Sequence, residues 1–169
     1  MPINALFAVD QSGGMGFAGS LPWPHNPLDM ANFKKLTMGH VLVMGRKSWQ
    51  DPKMPKPLKG RTVYVASSAP VEFAGHITGN LNEVLPELEL KHPDQTIWVA
   101  GGATILEQCA PLFNRIHLTY MHGSYKIDTR VQLRSLLAGF RPIEARVAPG
   151  TNCVFVTYEN LFRRAPDGP

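Results

Sequence analysis

Apolar positions along this chain follow two rhythms. Near-continuous apolar runs occupy Ile3 to Val9, Val41 to Met44 and Thr96 to Ala100. Such short runs are the pattern of strands covered on both faces. Between them, Met30, Phe33 and Leu36 recur at helical spacing after Pro27, a good first helical residue, and Gly39 closes the segment. Gly45 to Trp49 predicts a second, short helix; Asn80 to Leu90 a third, capped by Asn80 or Asn82; Ala103 to Ala110 a fourth. Arg61 to Ala66 and Arg115 to Met121 add strands, and Phe140 to Val147 with Cys153 to Tyr158 predict a hairpin around Pro149-Gly150. Strands alternating with helices, then strands alone, predict a single α/β domain over residues 1–169. Its sheet is expected to be mainly parallel with an antiparallel C-terminal edge strand and helices on both faces. Residues from about 161 to 169 are expected to form a flexible tail.

One stretch breaks the rhythm. Asp10 to Pro27 holds Gly13, Gly14, Gly16, Gly19 and three prolines, and predicts a long loop without regular structure. Loops of that length are usually lids or binding loops, otherwise disordered. Trp23 inside it favours a packed loop.

Composition narrows the class. Hydrophobic residues make up 44% and charged residues 18% of the 169, enough to bury a core and too apolar for disorder throughout. The charge of +4 comes from basic residues scattered singly or in pairs. That suits a polyanionic small molecule better than nucleic acid. Cys109 and Cys153 lack the spacing of a zinc site or disulfide framework and read as buried thiols in a reducing compartment. No run approaches a membrane span, and the N-terminus reads as a strand rather than a signal peptide, so a cytoplasmic protein is expected. The six histidines show no metal-ligand spacing, so no metal is expected.

Two strand–glycine–helix turns carry the candidate chemistry: Val43-Met44-Gly45-Arg46-Lys47-Ser48 and Val99-Ala100-Gly101-Gly102-Ala103-Thr104. Each sets backbone N–H groups at the carboxyl end of a buried strand, where anions bind. Neither has the usual dinucleotide fingerprint spacing. Arg46, Ser67 and Ser68, with no acidic neighbour, suit a 2′-phosphate better than a free ribose hydroxyl, or else form a solvated turn. Asp29, one turn into its helix, is either a dipole partner or a carboxylate in an apolar pocket, where burial would raise its pKa. Arg61 is either a surface cation or a fork for a substrate carboxylate.

Taken together, these pieces resemble the dihydrofolate reductase family. The resemblance rests on Ala8-Val9-Asp10, Gly14-Met15-Gly16, Leu21-Pro22-Trp23, Asp29-Met30-Ala31-Asn32-Phe33-Lys34, Val43 to Trp49, Leu58-Lys59-Gly60-Arg61, Ala100-Gly101-Gly102 and Leu118-Thr119, in family order over nearly the whole chain. It implies NADPH-dependent reduction of 7,8-dihydrofolate to tetrahydrofolate, with antifolates as inhibitors, in a monomer without nucleic-acid or membrane partners. It casts Asp29, Trp23 and Thr119 as catalytic, and Ala5, Met30, Phe33, Leu58, Arg61 and Ala100 as substrate contacts. It casts Ala8, Gly14, Met15, Leu21, Gly45, Arg46, Lys47, Ser48, Ser67, Ser68, Gly101, Gly102, Ala103, Thr104 and Ile105 as cofactor contacts. Residues 13 to 23 become a mobile lid, supported by Asp128 through backbone N–H groups near Gly14 to Phe17. The chain departs from the family pattern at Asn4, in the Pro24-His25-Asn26-Pro27 segment, in a longer Asp51 to Pro55 stretch, and at Ala103 and Thr104. A pyrimidine-pathway reductase of riboflavin synthesis and a non-catalytic nucleotide-binding module are the alternatives.

Overall fold

The computed structural model describes residues 2–163. In chain order its elements are β1 (Ile3–Asp10), β2 (Gly14–Gly16), α1 (Pro27–Thr37), β3 (Val41–Gly45), α2 (Arg46–Trp49), β4 (Thr62–Ala66), β5 (Gly75–Ile77), α3 (Leu81–Lys91), β6 (Ile97–Val99), α4 (Ala103–Cys109), β7 (Arg115–Met121), β8 (Thr129–Arg130), α5 (Leu133–Leu136), β9 (Phe140–Val147) and β10 (Cys153–Asn160). Eight strands form one sheet in the order β5-β4-β3-β6-β1-β7-β10-β9. Pairing is parallel from β5 through β7. The reversed strand is β10, one place in from the edge, flanked antiparallel by β7 and β9.

The continuous apolar runs are covered on both sides. On β3, Val41 and Val43 join Leu81, Leu85, Leu88 and Leu106 of α3 and α4 in one core. The alternate residues Leu42 and Met44 join Trp49 and Leu58 in a second core, against which Phe33 and Leu36 of α1 pack. Strand parity therefore separates α1 and α2 on one face from α3 and α4 on the other.

The ends of α1 follow from local chemistry. Asn26 is extended, and its side-chain oxygen accepts the Asp29 N–H at 3.1 Å. Pro27 follows without an N–H to satisfy. Gly39, at φ +79°, turns the chain away beyond the last residues. For α3 the cap is Asn80, which accepts from the Asn82 N–H at 3.0 Å.

Three pieces differ from expectation. The loop after β1 contains β2, which pairs antiparallel with β8 from more than a hundred residues along the chain. Both β5 and α5 arise in segments without a clear periodicity. At the C-terminus, the Leu161 N–H bonds Gly139 O, and the Phe162 and Arg163 N–H groups bond the Asn160 side chain. The rest of the expected tail lies outside the described residues.

Candidate active site

The carboxyl ends of β1, β3 and β6 open into a cleft of about 1340 Å³, walled by α1, the loop before it and the two glycine turns. This is where an open parallel sheet takes its ligands.

Asp29 lines the cleft from the first turn of α1. Burial pushes its carboxyl above the ordinary carboxylate value, while a hydrogen bond from the Thr119 hydroxyl draws it back down. Thr119 is buried on β7 behind the wall. Met30, Phe33, Leu58, Ala100 and Trp23 give this end an apolar lining. Trp23 is held with its ring against Tyr125, edge to face at 5.9 Å. Arg61 reaches the same cleft; its Nε donates to Lys59 O at 3.2 Å, and partial burial lowers its pKa without threatening its charge.

The two glycine turns meet at the other end. The Gly45 N–H donates to Gly101 O, and a Cβ at Gly45 would stand 3.0 Å from Ile105 Cδ1 and 3.4 Å from the Gly102 nitrogen. A side chain there would leave the backbone of the second turn at ordinary contact distance and press on the Ile105 tip. Arg46, Lys47 and Ser48 line the cleft from one turn, and Gly102, Ala103, Thr104 and Ile105 from the other. The exposed Arg46 and Lys47 bring two cations beside helix N-termini.

Three carboxylates hold the loop over the cleft. Asp10, buried at the end of β1, accepts from the Ser12 hydroxyl at 2.7 Å and from the Ser12 and Gly14 N–H groups, each at 2.8 Å. Burial alone would raise the Asp10 pKa, but these bonds and the Arg130 charge hold it below the ordinary value. Asp128 accepts the Ala18 N–H at 2.9 Å and donates its own N–H to Gly16 O at 2.9 Å. The contact falls at Ala18, one residue beyond the expected Gly14 to Phe17 stretch, in which the Gly14 N–H is taken by Asp10 and the Phe17 N–H by Ser20 O. Asp51 accepts the Ser20 hydroxyl at 3.0 Å, tying the loop to the segment after α2.

Most of the expected residues come together here, including Ala8, Met15, Leu21 and Asp128. Six are not part of the lining. Ala5 is a correction: it is fully buried in the α3–α4 core, because β1 alternates and sends Leu6 and Ala8 toward the cleft instead. Ser67 turns its hydroxyl onto Ala69 O at 2.7 Å, and neither it nor the exposed Ser68 lines the cleft. Gly14 braces the loop from beneath; a Cβ there would lie 2.6 Å from Ile127 and 2.9 Å from Asp10. Gly101 acts through its carbonyl and Thr119 through Asp29. Sequence reasoning missed Leu6, Phe7, Met44, Lys34, Lys53, Met54 and Asp51, which also line the cleft. Leu6 follows from the parity of β1 only once the side facing α1 is known; the loop residues carried no signal of their own. His117 is structural, half-buried and edge-on against Trp98, with its pKa pushed down to about 4 by burial and the Arg115 charge.

A model of the dihydrofolate reductase family matches residues 2–146. The chain belongs to the dihydrofolate reductase family. Among curated relatives, dihydrofolate reductase type 8 of Escherichia coli is 31% identical over 145 residues, covering 82% of this chain and 85% of the relative. Dihydrofolate reductase of Bacillus subtilis is 34% identical over 128 residues, covering 75% and 73%. A solved dihydrofolate reductase of Enterococcus faecalis, complexed with NADP(H) and RAB-propyl, superposes with a TM-score of 0.74 over 94% of this chain and 96% of that one at 21% identity, which establishes the shared fold. In this reductase fold the cleft lies between the family's motif segments: Asp29 to Lys34, Val43 to Trp49 and Ala100-Gly101-Gly102 all border it or buttress its wall.

Proposed function

We propose that this reductase seats 7,8-dihydrofolate against Asp29 and NADPH across the two glycine turns. The reaction is the NADPH-dependent reduction of dihydrofolate to tetrahydrofolate: C6 of the pterin gains a hydride and N5 a proton. The carrying observation is the raised Asp29 carboxyl inside an apolar wall, bonded to Thr119.

The residues present fit the dinucleotide. The cradle at Gly45 is one that a Cβ would fill, and Arg46 and Lys47 stand beside it to hold phosphates. When bound, NADPH supplies the hydride. The chain supplies position and field. Asp29 pairs with the pterin 2-amino group and N3, and its charge favours the protonated ring. Phe33, Leu58 and Met30 pack the rings, while Arg61 forks the glutamate carboxylate. Trp23, Leu21 and the loop they belong to exclude bulk water, leaving a single water beside N5 as the proton donor. Arg46 sets the preference for NADPH over NADH, with Ser68 on the separate turn that ends the adjacent strand β4. Antifolates would compete for the Asp29 end of the cleft.

The same reading takes the protein as a single-domain monomer of the cytoplasm without nucleic-acid or membrane partners. The free, buried thiols of Cys109 and Cys153 support a reducing compartment. The test is the loss of NADPH absorbance with dihydrofolate present. Turnover with dihydrofolate, reduced roughly ten- to a hundred-fold in NADPH efficiency by Arg46→Ala, is expected. NADPH binding without turnover would overturn the reading.

A further inference from the structure

Asn26 occupies a segment that the function leaves without a role. Its side-chain oxygen caps α1 by accepting the Asp29 N–H at 3.1 Å. Its amide nitrogen points the other way, donating to Asn152 Oδ1 at 3.3 Å and meeting Met121 Sδ at 3.7 Å. Asn152, at the start of the β10 arm of the hairpin, in turn donates to His122 O at 3.3 Å and to the Tyr125 hydroxyl at 3.1 Å.

Met121 and Thr119 stand two residues apart on β7, so their side chains share one face of the sheet. Asn26 and Asp29 stand three apart at the first turn of α1. Asn26 joins the strand at Met121, and Asp29 joins it at Thr119. The helix end is thus pinned to the strand at two matching points. A cap alone satisfies the helix and leaves its rotation over the sheet free; the second contact removes that freedom.

We infer that Asn26 is a positioning residue, which holds the Asp29 carboxylate in register with the Thr119 hydroxyl by bridging α1 to Met121 and Asn152. This rests on Asp29 as the pterin-facing carboxylate. The ionisable groups around the joint are Asp29, the neighbouring His25, and His122 and Tyr125 beyond Asn152; the His122 ring is bonded to Gln11 at 2.8 Å.

Asn26→Ser separates the two functions, since serine caps about as well as asparagine but cannot bridge. The readout is a carbon-13 carboxyl titration of Asp29 in ligand-free protein, beside the single-turnover rate. In Asn26→Ser the Asp29 midpoint should rise, because the Thr119 bond that lowers it loosens. The rate should fall about threefold to tenfold, the range of one lost neutral hydrogen bond. In a Thr119→Val background the same change should leave the midpoint where Thr119→Val put it. Asn152→Ala should produce a smaller shift of the same sign, and serves if Asn26→Ser folds poorly. An unmoved midpoint in Asn26→Ser, or an equal shift with and without Thr119, overturns the inference. Full activity of Asp29→Asn would instead overturn the underlying reading, and the titration would be unaffected by that outcome.

Discussion

The Gly45 N–H donates to the Gly101 carbonyl oxygen at 2.6 Å. That bond joins the end of β3 to the turn after β6, so the two anion-facing turns form one seam. Gly45→Ala places a Cβ 3.0 Å from Ile105 Cδ1 and 3.5 Å from Gly101 O. The side-chain tip can yield more readily than the backbone oxygen. Overpacking of this kind costs about 1–3 kcal/mol. Denaturant unfolding should show that loss, and a fluorescence titration should show NADPH weakened more than dihydrofolate. Ile105→Val should restore part of the stability. Wild-type NADPH affinity in Gly45→Ala would remove the seam from cofactor binding.

Asp29→Asn should lower turnover at neutral pH on the order of a hundredfold, with partial recovery in acid, where the pterin protonates unaided. It should also stabilise the fold. Burial raises the Asp29 pKa above its unfolded value, so the native state binds more protons between the two. Stability from this group is therefore full below the unfolded value and declines as pH rises through the folded one. Asparagine removes that decline. Tm against pH for both proteins tests it: the gap should open in favour of Asp29→Asn toward neutral pH, and a constant gap would show that the carboxylate is not strained by burial.

Arg61→Lys keeps charge and loses the planar fork. Dihydrofolate should bind about tenfold more weakly, with NADPH almost unchanged. The deciding comparison is an inhibitor that lacks a glutamate. If it weakens as much as dihydrofolate does, Arg61 serves the fold through its contact with Lys59 rather than the substrate tail.

Asp128→Ala removes the acceptor for the Ala18 N–H and leaves the backbone bond to Gly16 in place. Single-turnover hydride transfer should slow several-fold, with binary NADPH affinity much less affected. The Ala18 N–H and Thr129 hydroxyl hold Asp128 below the ordinary carboxylate value. Its grip on the loop is present at neutral pH and is lost only as pH falls through that depressed value. An unchanged single-turnover rate would leave Asp128 as a turn residue between strands.

The resemblance to known reductases could be read residue by residue because its motifs are local. Asp29, Phe33, Gly45 and Arg61 each stand beside a strand end or helix start that the chain itself announces. Ala5 was misplaced because choosing which parity of β1 faces the cleft needs the position of α1. Ser67 donates its hydroxyl to Ala69 O, a contact that the sequence around it does not announce. Asp10 entered only as part of Ala8-Val9-Asp10 and Asp51 only as the start of a longer stretch, and their role appears only in the loop residues folded back upon them.

What the sequence determined by itself is therefore what depends on neighbours along the chain. Apolar runs became parallel strands because both faces must be covered, Asn26 and Pro27 started α1, and glycine after a strand opened the anion-facing turns. The tertiary structure decided what depends on segments far apart. It paired Gly14–Gly16 with Thr129–Arg130, pressed the Gly45 and Gly101 turns together, and set Asn26 against Met121 and Asn152. The physical reason is the range of the forces: capping, turn geometry and periodicity act within a few residues, whereas a hydrogen bond across the cleft exists only after the shared core has brought its two ends together.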